Sequence, residues 1–138
     1  MRIALLVLLI VALNSCNQKK TTESLITNGY YKYWLVVRDT SEKSKAQNFY
    51  YFDKNGKWLV FQRGFSKKTF NKLDRGDVYF IETWKLINDS SVDIGTRSYH
   101  IGNITEDEFV FLFKEDGYNR KLVTAPDSMI PLHYQKIQ

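Results

Sequence analysis

Short runs of aromatic and β-branched residues, separated by turn signals about every ten residues, are the feature that most constrains the fold of this chain. Side chains within the runs alternate with a period of two, and the longer period of an amphipathic helix is missing. The pattern therefore predicts an all-β protein with eight strands. The predicted strands cover residues 30–38, 48–54, 57–63, 78–87, 92–95, 96–101, 109–114 and 120–124.

Antiparallel strands in sequential order favour a single eight-stranded up-and-down barrel or a strongly curled sheet, because closure removes exposed strand edges. One short helical turn is expected at residues 105–108. There Thr105 can act as a cap and accept a hydrogen bond from a backbone N–H near Glu108. The acids Glu106 and Asp107 suit the positive end of such a turn.

The clearest hairpin joins residues 48–54 and 57–63 through Asn55 and Gly56, a pair suited to a two-residue type I′ turn. Such a turn sets Lys54 opposite Lys57 and thereby fixes the register. The expected cross-strand pairs are Phe52 with Leu59, Tyr50 with Phe61, Tyr51 with Val60 and Asp53 with Trp58. Both faces of this hairpin carry large apolar side chains, so we expect it to be covered on both faces or to close over an interior.

The start of the chain predicts a processed targeting segment that takes no part in the fold. Arg2 precedes an apolar run at residues 3–13, which is too short for a transmembrane helix of about 20 residues and typical of a signal peptide. Residues 13–16, Leu-Asn-Ser-Cys, resemble the lipobox of bacterial lipoproteins. The resemblance implies that Cys16 is acylated and becomes the first residue of the mature protein.

This interpretation divides the 138 residues into four parts. Residues 1–15 are the signal peptide, and residues 16–27 are the lipidated Cys16 followed by a flexible polar tether. The β domain covers residues 28–124. Residues 125–138, which contain both prolines, form a C-terminal tail that we expect to pack on the outside.

Lipidation implies that the partner of the N-terminus is an envelope membrane. Asn17 is not the Asp that is associated with inner-membrane retention in enteric bacteria, and no acidic run follows Cys16. We therefore expect the domain to lie at the outer membrane and to face the periplasm. The net charge of +5 is spread along the chain and forms no basic stripe, which argues against nucleic-acid binding.

Five motifs define the order of turns and aromatic residues. They are Tyr-Trp-Leu-Val at 33–36, Tyr-Phe-Asp-Lys-Asn-Gly-Lys at 51–57, Trp-Lys-Leu-Ile-Asn-Asp-Ser-Ser at 84–91, Tyr-His-Ile at 99–101 and Ile-Thr-Glu-Asp-Glu-Phe-Val at 104–110. This series resembles the small lipocalin-like lipoproteins of Bacteroidetes over residues 28–124. The resemblance implies a curled β domain that holds a small apolar or amphipathic ligand.

No arrangement for catalysis is evident in the sequence, and we expect a protein that is not an enzyme and uses no cofactor. Cys16 is the only cysteine, and its lipid leaves no thiol for a disulfide or a nucleophile. His100 and His133 have no second ligand at a metal-binding spacing. No Gly-x-Ser-x-Gly motif or glycine-rich phosphate loop is present.

One acid interrupts an apolar face of the predicted strand 78–87. That face consists of Val78, Phe80, Glu82, Trp84 and Leu86. A buried carboxylate needs a partner, and Arg97 is a candidate if its strand is a neighbour. Glu82 and Arg97, with Trp84 and Tyr99 as flat walls, form the predicted ligand site. The alternative is that Glu82 lies at the rim or is satisfied structurally.

Two functions stay open at this point. The first is a tethered barrel that binds a small apolar or amphipathic molecule. The second is an envelope interaction protein, such as an accessory subunit, an inhibitor or an immunity partner, with a packed and ligand-free barrel. Aromatic residues make up 15% of the chain and can fill a small barrel, so the interior packing distinguishes the two.

Overall fold

The computed structural model describes residues 19–38, 46–64, 69–74, 81–113 and 119–135. Within these ranges, nine antiparallel strands form one strongly curled half-barrel sheet, which confirms the all-β prediction. The strands are β1 (Tyr31–Val36), β2 (Ala46–Asp53), β3 (Trp58–Gly64), β4 (Phe70–Lys72), β5 (Trp84–Asn88), β6 (Ser91–Ile94), β7 (Arg97–Ile104), β8 (Glu108–Phe113) and β9 (Asn119–Thr124). Helix α1 (Thr22–Thr27) precedes them, and a 3-10 turn (Asp127–Met129) and helix α2 (Leu132–Gln135) follow.

The strand order is β4-β3-β2-β1-β9-β8-β7-β6-β5. Strands that are consecutive in the chain are therefore neighbours in the sheet, except that β4 and β5 lie at its two ends. Strand β1 also pairs with the last strand, β9. The two sides of the curled sheet meet at an antiparallel bridge between Lys57 and Thr83. There the Trp58 N–H donates to the Glu82 carbonyl at 2.9 Å, and the Trp84 N–H donates to the Gly56 carbonyl at 2.8 Å. Backbone hydrogen bonds thus hold the curl.

Aromatic contacts between distant strands identify the concave side. Phe52 on β2 makes edge contacts with Trp84 on β5, at 5.7 Å between ring centroids, and with Phe109 on β8, at 6.2 Å. Trp34 on β1 lies 5.9 Å from Phe109. Trp34, Phe52 and Phe109 have no exposed surface, and each such pair adds about 0.5–1.5 kcal/mol beyond the burial of area.

A second apolar cluster covers the convex side of β1–β4. Phe61 stacks on Phe70 at 5.0 Å, and Tyr134 of α2 packs against both rings. Ile130, which lies between the 3-10 turn and α2, is buried in the same cluster. The predictions that the C-terminal tail packs on the outside and that both faces of the β2–β3 hairpin are covered are confirmed.

Helix α1 corrects the prediction of a flexible tether up to residue 27. Its N-cap Thr21 accepts a hydrogen bond from the Ser24 N–H at 3.1 Å, and Asn28 ends it in a left-handed conformation. Ile26 is fully buried, and its carbonyl accepts a hydrogen bond from the Trp34 indole N–H at 2.9 Å. Two buried side chains, Ile26 and Thr27, and an N-cap are enough to fold this turn of helix onto the sheet, and the polar composition around them gave no periodic signal.

The predicted register of the β2–β3 hairpin was wrong by one residue. The observed pairs are Phe52 with Trp58, Tyr51 with Leu59, Tyr50 with Val60 and Phe49 with Phe61. The connection is a three-residue loop, in which the Gly56 N–H donates to the Asp53 carbonyl and only Gly56, at φ +84°, is left-handed. The Asp53 carboxylate accepts from the N–H groups of Asn55 and Lys57, both at 2.9 Å, and so stabilises a type I turn with a bulge.

The predicted helical turn at residues 105–108 is a hairpin loop between β7 and β8. Thr105 accepts from the Glu108 N–H at 3.0 Å, as expected of the cap, but the Thr105 N–H also donates to the Glu108 carbonyl at 2.8 Å. This second bond closes the hairpin and leaves no room for a helix.

The predicted strand 78–87 is shorter in the structure, where β5 begins at Trp84. Val78 and Phe80 lie outside the described residues, as do Cys16 and the predicted signal peptide. Strand β4 was not predicted, because its three residues are too short to carry an alternating pattern.

Two glycines with the same left-handed φ test the loop assignment. A Cβ on Gly56 would lie 3.2 Å from the Trp84 carbonyl oxygen, whereas a Cβ on Gly29, at φ +83°, would meet nothing within 4 Å. Gly29→Ala should therefore lower the free energy of unfolding by about 1 kcal/mol, and Gly56→Ala by about 2 kcal/mol, because only the second also disturbs the meeting of β3 and β5. Urea denaturation measures both changes, and equal losses would contradict the close approach.

Candidate functional site

The four residues of the predicted ligand site do not form one site. Glu82 forms an ion pair with Lys72, the last residue of β4, and not with Arg97. Strand β6 lies between β5 and β7, so the condition for a Glu82–Arg97 pair is not met. The pairing of the Glu82 carboxylate with the Lys72 ammonium, across the line where β4 and β5 end the sheet, corresponds to the structural alternative.

Trp84 is a core residue and not an accessible wall. Its indole N–H donates to the Asp53 carbonyl at 2.8 Å, and its ring packs against Phe52. Only 6% of its surface is exposed, which leaves no face for a ligand.

Arg97 and Tyr99, by contrast, belong to one group on the concave side. Tyr99 packs against Phe111 at 4.9 Å and Phe113 at 5.5 Å, and the Arg97 guanidinium lies 5.0 Å from the centre of the Phe113 ring. The charge of Arg97 also acts on the Tyr99 phenol and lowers its pKa. The sequence prediction that these two residues share a face is confirmed.

Two further residues complete this group. Arg120 on β9 donates from Nη1 to the Tyr50 hydroxyl on β2 at 2.6 Å. The charges of Arg97 and Arg120 lower the pKa of the Tyr99 phenol, and the phenol of Tyr50 raises it. We call Tyr50, Arg97, Tyr99 and Arg120 the mouth cluster.

The mouth cluster lies at the end of the concave side that is remote from α1. Arg97 and Arg120 stand at the start of β7 and β9, and Phe113 ends β8. Helix α1 instead lies against the other end, where Lys20 pairs with Glu106 of the β7–β8 loop at 2.8 Å. Among the described residues, the concave side therefore has one end that carries Arg97 and Arg120 and one end covered by α1.

Burial is the main influence on the phenol of Tyr99. It raises the pKa of that phenol, the neighbouring Tyr50 adds to the increase, and Arg97 and Arg120 oppose it. Tyr99 consequently stays neutral at physiological pH and can both donate and accept a hydrogen bond at the mouth.

The end near α1 is closed by packing. Lys32 extends over the Trp34 ring, 3.9 Å from its centre, and donates to the Glu106 carbonyl. Burial lowers the pKa of the Lys32 ammonium, although the charges of Asp107 and Glu106 act in the opposite direction. With Ile26 fully buried beside Trp34, this end offers a ligand no access.

A cleft of about 410 Å³ lies outside the curl, between residues 28–33 and the C-terminal segment. Two of the three phenols that line it are engaged, since the Tyr31 hydroxyl donates to the Gln135 carbonyl and the Tyr33 hydroxyl donates to the Tyr134 carbonyl. These bonds fasten α2 to β1. The cleft is thus explained by the docking of the C-terminal segment.

Tyr50 and Arg120 were missed by sequence reasoning, although a signal for them exists. Arg120 stands two residues before the buried Leu122, and Arg38 stands two residues after the buried Val36. Alternation along a strand puts each arginine on the same side as its buried neighbour. A search for cations two positions from a core residue at strand ends would have found Arg120 and Arg38, but not Tyr50.

Within the described ranges, no helix has the length and hydropathy needed to cross a bilayer. No group of three or more His, Cys, Asp or Glu side chains in that part of the chain converges on a point that could hold a metal. Comparison of the chain with protein-family models, with curated proteins and with solved structures finds no match.

The hydrogen bond between Arg120 and Tyr50 should contribute to stability as well as to the shape of the mouth. Tyr50→Phe keeps the ring and removes the acceptor, so we expect the free energy of unfolding to fall by about 1.5 kcal/mol, typical of a bond to a charged group. Tyr30→Phe is the matched control, because Tyr30 is 70% exposed and should lose almost nothing. Chemical denaturation distinguishes the two, and an unchanged Tyr50→Phe protein would contradict the bond.

Proposed function

We propose that this chain is an envelope lipoprotein, not an enzyme, whose curled β domain binds a small amphipathic ligand at the mouth cluster. The observation that carries the proposal is the position of Arg97, Tyr99 and Arg120 at the rim of an aromatic concave surface, where Arg97 lies over the Phe113 ring, Tyr99 packs against Phe113, and Arg120 donates to the buried Tyr50 hydroxyl. Ligand sites in proteins combine an apolar lining with a few convergent polar groups in this way.

The ligand lies at the mouth and not deep inside the curl. Trp34, Phe52 and Phe109 fill the part near α1 and have no exposed surface. Tyr99 and Phe113 are only partly buried, and they offer ring faces next to the polar groups. This arrangement suits an amphipathic ligand whose apolar part lies on these ring faces and whose polar end points towards solvent.

Lipidation of Cys16 would give the domain a defined orientation. Lys20 is held at Glu106, and four residues of chain from Lys20 back to Cys16 reach at most about 14 Å. The end with α1 then lies close to the membrane, and the mouth cluster faces away from it into the periplasm. The tether is shorter than the sequence suggested, because α1 belongs to the folded domain.

Replacement of the acylated residue tests the anchor. Cys16→Ser should abolish incorporation of radiolabelled palmitate and release the protein from the membrane fraction, because the acyl chains supply the attachment. Asn17→Gln is the control and should stay labelled and membrane-bound. A Cys16→Ser protein that still sediments with membranes after a salt wash would contradict a lipid anchor.

A neutral fluorophore tests the ligand site. The Cys16→Ser protein, which carries no acyl chain to compete, should bind phenylnaphthylamine with increased fluorescence. Tyr99→Ala and Phe113→Ala should each weaken this binding by about tenfold, because each removes a ring face worth about 1.5 kcal/mol. The exposed Tyr30→Ala is the control and should bind normally.

Absence of binding, or binding that Tyr99→Ala and Phe113→Ala leave unchanged, would contradict a ligand at the mouth. The alternative expected from the sequence, a protein partner in the envelope, would then explain better why the deep interior is packed with aromatic rings.

A further inference from the structure

We propose that the cleft between residues 28–33 and the C-terminal segment is a second binding site, which takes a neutral sugar unit. We call it the tyrosine cleft, because Tyr30, Tyr31 and Tyr33 line it. The cleft lies outside the curl and apart from the mouth cluster, so it is independent of the ligand proposed there. The features that carry the proposal are an exposed tyrosine ring, an amide and a carboxylate at one place.

The tyrosine cleft has the size of a ligand site. Its volume of about 410 Å³ falls within the range of about 300–1,000 Å³ that ligand pockets occupy. The bonds from the Tyr31 and Tyr33 hydroxyls to the C-terminal segment hold its two walls together. Docking of that segment therefore creates the cleft without filling it.

Backbone hydrogen bonds fix the wall that comes from residues 28–33. Asn28 ends α1 in a left-handed conformation, at φ 51°. The Tyr30 N–H donates to the Thr27 carbonyl at 3.1 Å, and the Tyr30 carbonyl accepts from the Lys54 N–H at 2.9 Å. The backbone of this wall is thus in place before a ligand arrives, which lowers the entropy cost of binding.

The wall from the C-terminal segment is fixed in the same way. The Ala125 N–H donates to the Tyr33 carbonyl at 3.1 Å, which joins the segment to β1. The Asp127 carbonyl accepts from the Ile130 N–H at 3.1 Å and from the Gln135 side-chain amide at 2.9 Å. The Asp127 backbone is therefore held by two bonds, and Asp127 is exposed at the cleft.

Tyr30 supplies a flat apolar face to the cleft. It is 70% exposed and is the only aromatic residue among the large hydrophobic side chains that the described part of the chain exposes. The Lys54 ammonium lies 4.4 Å from the centre of its ring and helps to hold the ring in place. The face of such a ring is electron-rich and attracts the C–H groups of a sugar ring, so a sugar can pack on Tyr30.

An amide and a carboxylate beside this ring suit hydroxyl groups. Among the described residues, neither the Asn28 side chain nor the Asp127 carboxylate takes part in a hydrogen bond or an ion pair. A sugar hydroxyl donates as well as accepts, so it can satisfy either group. A hydrogen bond to the carboxylate is charge-assisted and is the stronger of the two.

Charges of both signs at the cleft favour a neutral ligand. The Asp127 carboxylate repels an anion, and the Lys54 ammonium, which already lies on the Tyr30 ring, repels a cation there. A sugar without charge avoids both costs and keeps the ring contact and the hydrogen bonds. The chemistry of the cleft therefore favours a neutral sugar over an amine or an acid.

Three compounds of similar size separate these contributions. Glucose has a ring and hydroxyl groups, sorbitol has the hydroxyl groups without the ring, and glucosamine adds an ammonium to the ring. In the Cys16→Ser protein with its complete C-terminus, glucose should shift the backbone NMR signals of Asn28, Tyr30 and Asp127 in a saturable way. Sorbitol should shift none of them, and glucosamine should bind no more tightly than glucose.

Substitutions assign the binding to the tyrosine cleft. Tyr30→Ala should weaken glucose binding about tenfold, because it removes the ring face, whereas Tyr30→Phe should bind normally. Asp127→Asn should weaken binding several-fold, because it removes the charge and keeps the shape. Leu132→Ala is the control, since Leu132 is 74% exposed on α2 and does not line the cleft. All of these positions are exposed, so the variants should keep the fold, which circular dichroism checks.

The outcomes decide between a sugar site and its alternatives. Absence of saturable shifts with glucose, equal shifts with sorbitol, or normal binding by the Tyr30→Ala protein would overturn the sugar site. Glucosamine binding about tenfold tighter than glucose would show a cation site instead. Shifts at Tyr99 and Phe113 in place of the cleft would assign the sugar to the mouth cluster and overturn the second site. None of these results changes the binding of phenylnaphthylamine, which tests the proposed function separately.

Discussion

The aromatic contact between the two sides of the curled sheet is the interaction on which the rest of the structure depends. Phe52 on β2 packs against Trp84 on β5, which is the strand at the far end of the sheet. Phe109 on β8, in between, packs against Phe52 as well. The Trp84 indole N–H is satisfied by the Asp53 carbonyl, so the ring is buried without the cost of an unpaired donor. The bridge between Lys57 and Thr83 then joins the backbones at the same place.

Strand order has a direct consequence for the polar residues. Only β1 separates β2 from β9, which is how Arg120 on β9 reaches Tyr50 on β2 on the concave side. The other end is filled by α1, through the hydrogen bond from Trp34 to Ile26. The concave side thus has one end packed by α1 and one end that carries Arg97 and Arg120.

The convex side is explained by the composition of β1–β3. These strands carry apolar rings on both faces, and the curl buries only one of them. The C-terminal segment covers the other, with Ile130 and Tyr134 packed on Phe61 and Phe70. The packing explains why a tail with two prolines is part of the domain.

Local patterns predicted the strands, the two-sided burial of the β2–β3 hairpin and the common face of Arg97 and Tyr99. They did so because side-chain alternation is a property of each strand alone. The register of the hairpin was different because the Asp53 carboxylate stabilises a three-residue loop that competes with the type I′ turn. Glu82 was assigned to the wrong partner because its distance from Arg97 depends on strand order, which alternation does not contain.

The sequence by itself determined the all-β class, the alternation of faces and the candidate anchor at Cys16, since each depends only on neighbours along the chain. Tertiary structure alone decided which residues share a site. The mouth cluster joins β2, β7 and β9, whose residues are separated by up to 70 positions and meet because the strand order places only β1 between β2 and β9 and only β8 between β9 and β7.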